Sequence, residues 1–165
     1  MKAIYILLFA ALLCGATFAA DYKVDSQIGK GQLGIISQLA IGADDTVYAL
    51  GNNGKIMAFK PDGSLAATLE TDMKNTGAIA MAPNGNIHVF STLTKEKKVK
   101  VGARMRKVQI PIGVECGVFD GTGKRLKGYT LDQLKSAKAA RIVGDKLVVA
   151  DLTARALVFH DLETG

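Results

Sequence analysis

Tryptophan is absent from this chain of 165 residues, and cysteine and histidine occur only twice each. Each scarcity narrows the chemistry. Cys14 lies in the apolar run at the start, so beyond that run Cys116 stands alone. An intramolecular disulfide is excluded there, and no metal-ligand spacing remains. Cys116 falls in Val114-Glu115-Cys116-Gly117-Val118-Phe119, which reads as a strand with a buried structural thiol. A reactive thiol would need a nearby cation or helix N-terminus to lower its pKa, and none can be read from the sequence. Long apolar runs are equally scarce. Residues 3–18 form the one long apolar run, shorter than the roughly 20 residues of a comfortable transmembrane helix. Lys2, that stretch and the exit Thr17-Phe18-Ala19 together have the pattern of a secretory leader over residues 1–19. A lipoprotein leader acylated at Cys14 is the rival, and the bulky Leu13 before that cysteine argues against it. The expectation is an exported chain, secreted or periplasmic, cleaved near Ala19 or Ala20.

What is abundant is turn chemistry. Between residues 39 and 69 the turns Ala43-Asp44-Asp45, Gly51-Asn52-Asn53-Gly54 and Pro61-Asp62-Gly63 separate four short apolar runs. Gly, Asn and Asp supply the positive-φ and side-chain-bonded positions that tight hairpins need. The runs 39–41, 46–50, 55–60 and 64–69 suit strands, which makes one small antiparallel sheet unable to bury its faces alone. Copies follow. Phe59-Lys60-Pro61-Asp62-Gly63 is echoed by Phe119-Asp120-Gly121-Thr122-Gly123, and again from Phe159. Thr46-Val47-Tyr48 is echoed by Asn86-Ile87-His88-Val89 and Lys146-Leu147-Val148-Val149. Val47 to Phe59 and Leu147 to Phe159 each span 12 positions, whereas Ile87 to Phe119 spans 32, so the middle copy carries an insertion. A step of about forty residues with four strands per copy is the signature of propeller blades.

Val149-Ala150-Asp151-Leu152-Thr153-Ala154-Arg155-Ala156-Leu157-Val158-Phe159 resembles the core of an NHL repeat, V-A-D-(loop)-N-R-h-x-V-F, with h apolar. Ile28-Gly29-Lys30-Gly31-Gln32-Leu33-Gly34 before Leu39-Ala40-Ile41 is similar to the Gly-rich approach to such a blade. Only the third copy keeps both the Asp and the Arg; Ser91 replaces the Asp in the second. The first copy has Gly51-Asn52-Asn53, and its Val47-Tyr48-Ala49-Leu50 wording also resembles quinoprotein repeats. The expected fold is all-β, a β-propeller segment of about three four-stranded antiparallel blades over residues 20–165. Residues 21–28 read as an outer strand, and the third copy lacks one after Phe159. Three blades do not close a ring of the usual four to eight. Either the sequence is a piece of a longer propeller, or a second copy completes the ring as a homodimer.

The insertion, residues 92–111, departs from the repeat. Lys95, Lys97, Lys98, Lys100, Arg104, Arg106 and Lys107 against Glu96 give it a net charge of +6, equal to that of the whole chain. The basic balance thus belongs to one loop. Alternation of Val99 and Val101, then of Val108, Ile110 and Ile112, about Gly102-Ala103 predicts an extended β-hairpin with one basic face. Lysines on an exposed ribbon have a plain role in preventing edge-to-edge association. They also suit an arm that attracts an anionic partner, protein or glycan. Export, the absence of Trp and a basic run without interleaved aromatics argue against nucleic acid, and a ribbon lacks the wide apolar face of a membrane-surface helix.

The remaining residues favour structure. His88 takes the position of Tyr48 as a packed strand residue, and His160 reads as an exposed turn residue. Asp151 and Arg155 flank a short loop, where an ion pair tying strands is the default; alternatively they line the mouth of the ring with Asn52 and Asn53. The NHL resemblance implies a rigid binding platform. Its more distant six-bladed relatives, calcium-dependent lactonases and lyases, imply an enzyme whose active residues lie largely outside this chain. Ca²⁺ takes six to eight oxygen ligands, and no set of carboxylates at equivalent positions supplies them. No catalytic residue, cofactor or metal is expected within these residues, and a binding platform with the hairpin as its anionic-partner site is the reading adopted.

Overall fold

The computed structural model describes Gly29, residues 34–51 and residues 53–162. The leader pattern of residues 1–19, the expected strand at 21–28 and Asn52 lie outside the described residues. The described chain is all-β, and no helix in it is long and apolar enough to cross a membrane. Its strands are β1 (Ile36–Ile41), β2 (Val47–Gly51), β3 (Lys55–Phe59), β4 (Leu65–Glu70), β5 (Thr76–Met81), β6 (Ile87–Val101), β7 (Arg104–Phe119), β8 (Arg125–Leu131), β9 (Ala139–Val143), β10 (Lys146–Asp151) and β11 (Ala156–Asp161). They form three antiparallel meanders, β1-β2-β3-β4, β5-β6-β7-β8 and β9-β10-β11.

One five-residue loop, used four times, sets this pattern. At residues 42–46, 60–64, 82–86 and 120–124 the first N–H donates to the fifth carbonyl and the fourth N–H donates to the first carbonyl, at 2.8–3.2 Å. The fourth residue is left-handed each time: Asp45 at φ 60°, Gly63 at 83°, Gly85 at 84° and Gly123 at 87°. Three of these are Gly, which adopts that backbone without a Cβ penalty. The third residue supplies an Asx turn where it can, as Asp62 Oδ1 accepts from Ser64 N at 2.9 Å and Asn84 Oδ1 from Asn86 N at 3.1 Å.

The sheets stack face to face. Leu50, Ile56 and Leu69 of the first meet Ile79, Ile87, Val89 and Phe119 of the second. The opposite face of the second, with Phe90, Val114, Cys116 and Val118, meets Ala140, Leu147 and Val149 of the third. The first strands β1, β5 and β9 lie innermost and adjoin one another. Stacked four-stranded meanders with their first strands at the centre are the geometry of propeller blades. β1 and β5 carry a bulge at the same place, leaving Ser37 and Gly77 unpaired. A Cβ on Gly77 would stand 2.2 Å from the Ala137 carbonyl oxygen, so the approach of the next blade requires Gly there.

The sequence alignment of the third copy is corrected by one residue. Val47 faces Phe59 and Ile87 faces Phe119, but Leu147 faces His160, and Phe159 pairs with Val148. The turn between Asp151 and Ala156 has four residues, with Arg155 left-handed at φ 55°, whereas residues 52–54 suffice in the first sheet. Because successive strand residues point to opposite faces, one added residue turns Phe159 to the other face of its sheet. Phe59 and Phe119 are buried; Phe159 is exposed.

Candidate functional site

The insertion of the middle copy is not a separate element but a continuation of β6 and β7 beyond their blade. Pairing runs unbroken from Thr94 with Pro111 to Val101 with Arg104. Gly102, at φ 61°, takes the first central position of the two-residue turn, a place that favours Gly. At the root the ladder slips: Leu93 faces Gly113 and Thr94 faces Pro111, which leaves Ile112 as a bulge. Pro111 donates no ladder hydrogen bond and is tolerated at such a break. The bulge separates two environments on the same strands. From Ile87 to Ser91 every residue of β6 is buried, and from Thr94 outward all but Val99 are exposed.

Cross-strand partners share a face, so the register fixes where the charges go. Lys95 faces Ile110, Lys97 faces Val108, Val99 faces Arg106 and Val101 faces Arg104 on one side of the ribbon. On the other, Glu96 faces Gln109, Lys98 faces Lys107 and Lys100 faces Met105. The expectation of one basic face is therefore corrected. The cations occupy both faces, because each apolar residue of one strand is set opposite a cation of the other. Lys107 reaches Glu96 at 3.0 Å, an exposed pair of small energetic weight. The remaining cations of the ribbon make no ion pair among the described residues.

Near the root lies a polar hollow of about 470 Å³, lined by Asn75, Thr76, Thr92, Pro111, Ser136, Lys138, Leu152 and Thr153. It brings the hairpin root beside the β10–β11 turn, as the position of second-to-third-strand loops on one end of the blades implies. The expected Asp151–Arg155 ion pair does not form; Arg155 is exposed, and the buried Asp151 carboxylate has other partners. Lys135 N donates to it at 2.7 Å, Ser136 Oγ at 2.9 Å, Thr153 N at 2.9 Å and Ala154 N at 3.1 Å. Removal from water pushes its pKa up, but those four donors together outweigh that and hold it below the ordinary carboxylate value. Ser91, at the same register position of the second sheet, donates to the Lys74 carbonyl. In both sheets the end of the second strand tethers the connection entering that blade. Asn53 is spent on its own turn, accepting from Lys55 N at 3.1 Å; Asn52 is outside the described residues.

Other residues sort by packing. Cys116 is fully buried, and burial pushes its thiol up to about 12, far from thiolate chemistry. His88, also buried, stands 3.9 Å from Cys116 Sγ, and desolvation followed by the Lys127 charge pushes its pKa down. His160 differs from expectation. It lies in β11 rather than in a turn, half-buried, with its Nε2 buried and unpaired. Among the described residues no three His, Cys, Asp or Glu side chains gather as cation ligands would.

Sequence reasoning missed Gln38. Its Oε1 accepts from Ile79 N on β5 at 2.9 Å and its Nε2 donates to the Ala140 carbonyl on β9 at 2.9 Å. One side chain thus clamps all three innermost strands, beside an axial groove of about 580 Å³ that Arg141 also lines. The equivalent residues Ala78 and Ala139 have no such reach, so periodicity holds no signal for it.

No protein-family model matches the chain, and no curated protein matches it. Among solved structures it is similar to a chain of the nidogen/laminin complex, at 17% identity and a TM-score of 0.44, over 84% of this chain and 64% of that one.

Proposed function

We propose that the chain is a propeller-type interaction platform, of the NHL kind and exported by its leader, that holds an anionic protein or glycan with the hairpin at residues 92–111. The observation that carries the proposal is the concentration of charge: seven cations and one anion on a ribbon that leaves the blade, with the rest of the chain close to neutral. An exposed cluster of one sign raises the local concentration of oppositely charged partners over about a Debye length, roughly 8 Å at physiological salt. Because the cations occupy both faces, a polyanion can wrap the ribbon or bridge two surfaces. The buried root fixes the arm's base, which limits the ordering cost of binding.

Immobilised heparin is the probe. Replacing Lys97, Lys98, Lys100 and Arg104 together by Ser should move elution to much lower salt while circular dichroism stays unchanged. Unchanged elution from heparin would contradict the proposal and leave the lysines as protection of an exposed strand pair.

A further inference from the structure

The hollow at the hairpin root lies between the second and third sheets, away from both end faces of the stack. Thr92 follows the buried part of β6 and shares the face of Phe90, which packs on the third sheet. Pro111, set opposite Thr94 by the slip in the ladder, walls one side. Asn75, left-handed at φ 54°, leads into the second sheet, and its carbonyl accepts from Thr92 N at 3.3 Å. Lys138 leads into the third, where its N–H donates to the Ala150 carbonyl at 3.2 Å. Leu152 and Thr153 of the β10–β11 turn also line the hollow.

Lys138 is the single cation of this lining, and no carboxylate is part of it. The Lys138 ammonium, the Asn75 amide and the Thr92 hydroxyl are paired with no described residue. Thr153 Oγ1 gives its hydrogen to Ser136 Oγ at 3.2 Å and keeps its lone pairs as acceptors. The buried Asp151 accepts on both oxygens, from Lys135 on one and from Ser136, Thr153 and Ala154 on the other, so its charge is compensated inside the wall. Pro111 and Leu152, the latter 64% exposed, add apolar surface. Donors, acceptors, one cation and apolar surface together match a sugar ring that bears one acidic group. A bare anion would engage Lys138 and leave Pro111 and Leu152 in water. An apolar ligand would strip water from Lys138 and the Thr92 hydroxyl and replace none of its hydrogen bonds.

We infer that this hollow binds one acidic sugar residue of a glycan, with the carboxylate at Lys138 and the ring hydroxyls at Asn75, Thr92 and Thr153. The inference rests on the anionic-partner reading of the hairpin and selects glycan over protein as that partner. A volume of about 470 Å³ suits a small-molecule site. The hollow and the arm divide the work. Lys98 follows Thr92 along β6 by six residues, a rise of about 20 Å, so one sugar cannot span both, whereas a chain anchored in the hollow can run along the ribbon. A single residue in an open hollow binds on the order of 1 mM. The hairpin therefore supplies retention, and the hollow selects the residue.

Glucuronate titrated into the isotopically labelled full chain, followed by backbone amide shifts, tests this. The amides of Asn75, Thr92, Lys138 and Thr153 should shift saturably, and glucose or acetate at the same concentrations should shift them several-fold less. Lys138→Met should weaken glucuronate binding roughly tenfold, the weight of one charge-assisted hydrogen bond, and Thr92→Val by a smaller factor. Unchanged circular dichroism verifies that the sheets of both variants persist. Equal shifts with acetate would overturn the inference and assign the hollow to a bare carboxylate, as an acidic peptide carries. Shifts confined to the hairpin, or undiminished binding by Lys138→Met, would overturn it too. Because glucuronate cannot span hollow and arm, its binding and the elution from heparin are judged separately, and failure of one leaves the other standing.

Discussion

The same two strands live in two solvents. Between Ile87 and Ser91 and between Gly113 and Phe119, β6 and β7 are sealed between neighbouring sheets, apart from the half-buried Glu115. Beyond the Ile112 bulge they run into water with cations on both faces. At the root, side-chain identity is dictated by volume: Gly117 leaves room for Met73 and Phe119, and an added Cβ there would come 2.5 Å from Met73 Sδ. At the tip only Val99 and Val108 are half-buried, and identity elsewhere is free to serve charge. If the tip binds as proposed, one ladder separates stability from recognition, and the two should be separable by substitution.

The largest expected effect is at the root. Phe90→Ala should cost about 3–5 kcal/mol of unfolding free energy by cavity formation, whereas Val99→Ala at the tip should change it by less than about 0.5 kcal/mol. Urea unfolding of both variants measures the contrast. Similar costs would mean that the tip is part of the core.

Next is the tether of the third sheet. Asp151→Ala removes the acceptor shared by Lys135 N, Ser136 Oγ, Thr153 N and Ala154 N, at about 1–3 kcal/mol for each donor that water cannot reach. The pH dependence has a defined sign. Because the folded carboxyl titrates below its ordinary 3.8, its contribution is present above about pH 4 and is lost as pH falls through the folded value. Asp151→Asn should therefore flatten the loss of stability below pH 4. An acid limb as steep as the parent's would assign that limb to other carboxylates.

How far the sequence spoke depends on which residues carry the information. The strands and three-sheet division were legible because Gly, Asn and Asp mark loops at 42–46, 60–64, 82–86 and 120–124 with local rules. The hairpin's existence and ends were legible from Gly102 and the alternation around it. Its face distribution was not, since a ladder register depends on the turn and on a bulge at Ile112. The inversion of Phe159 and the strand placement of His160 hung on a single extra turn residue. Gln38 and the partners of Asp151 act across 41, 102 and 16 positions of sequence, distances at which periodicity carries nothing.

Loop chemistry gives a smaller, opposite pair of effects. Asp45→Gly should stabilise by about 0.5–1 kcal/mol, since the left-handed site strains a side chain, and Gly63→Ala should destabilise by a similar amount. Thermal midpoints shifting in opposite directions would verify the shared loop geometry. The smallest effect is on Cys116, which should leave native protein unlabelled by a thiol reagent at neutral pH and react only on unfolding. Rapid labelling of the folded chain would contradict its burial.

The central claim is that the tip, not the blades, holds the anionic partner. Its most direct test joins Thr94 to Pro111 through Asn-Gly, removing the arm while keeping the root, and measures heparin affinity against salt concentration for both forms. The account predicts steep salt-dependent binding by the full chain and none by the shortened chain, with equal thermal midpoints. Equal affinity and equal salt dependence in the two forms would contradict it.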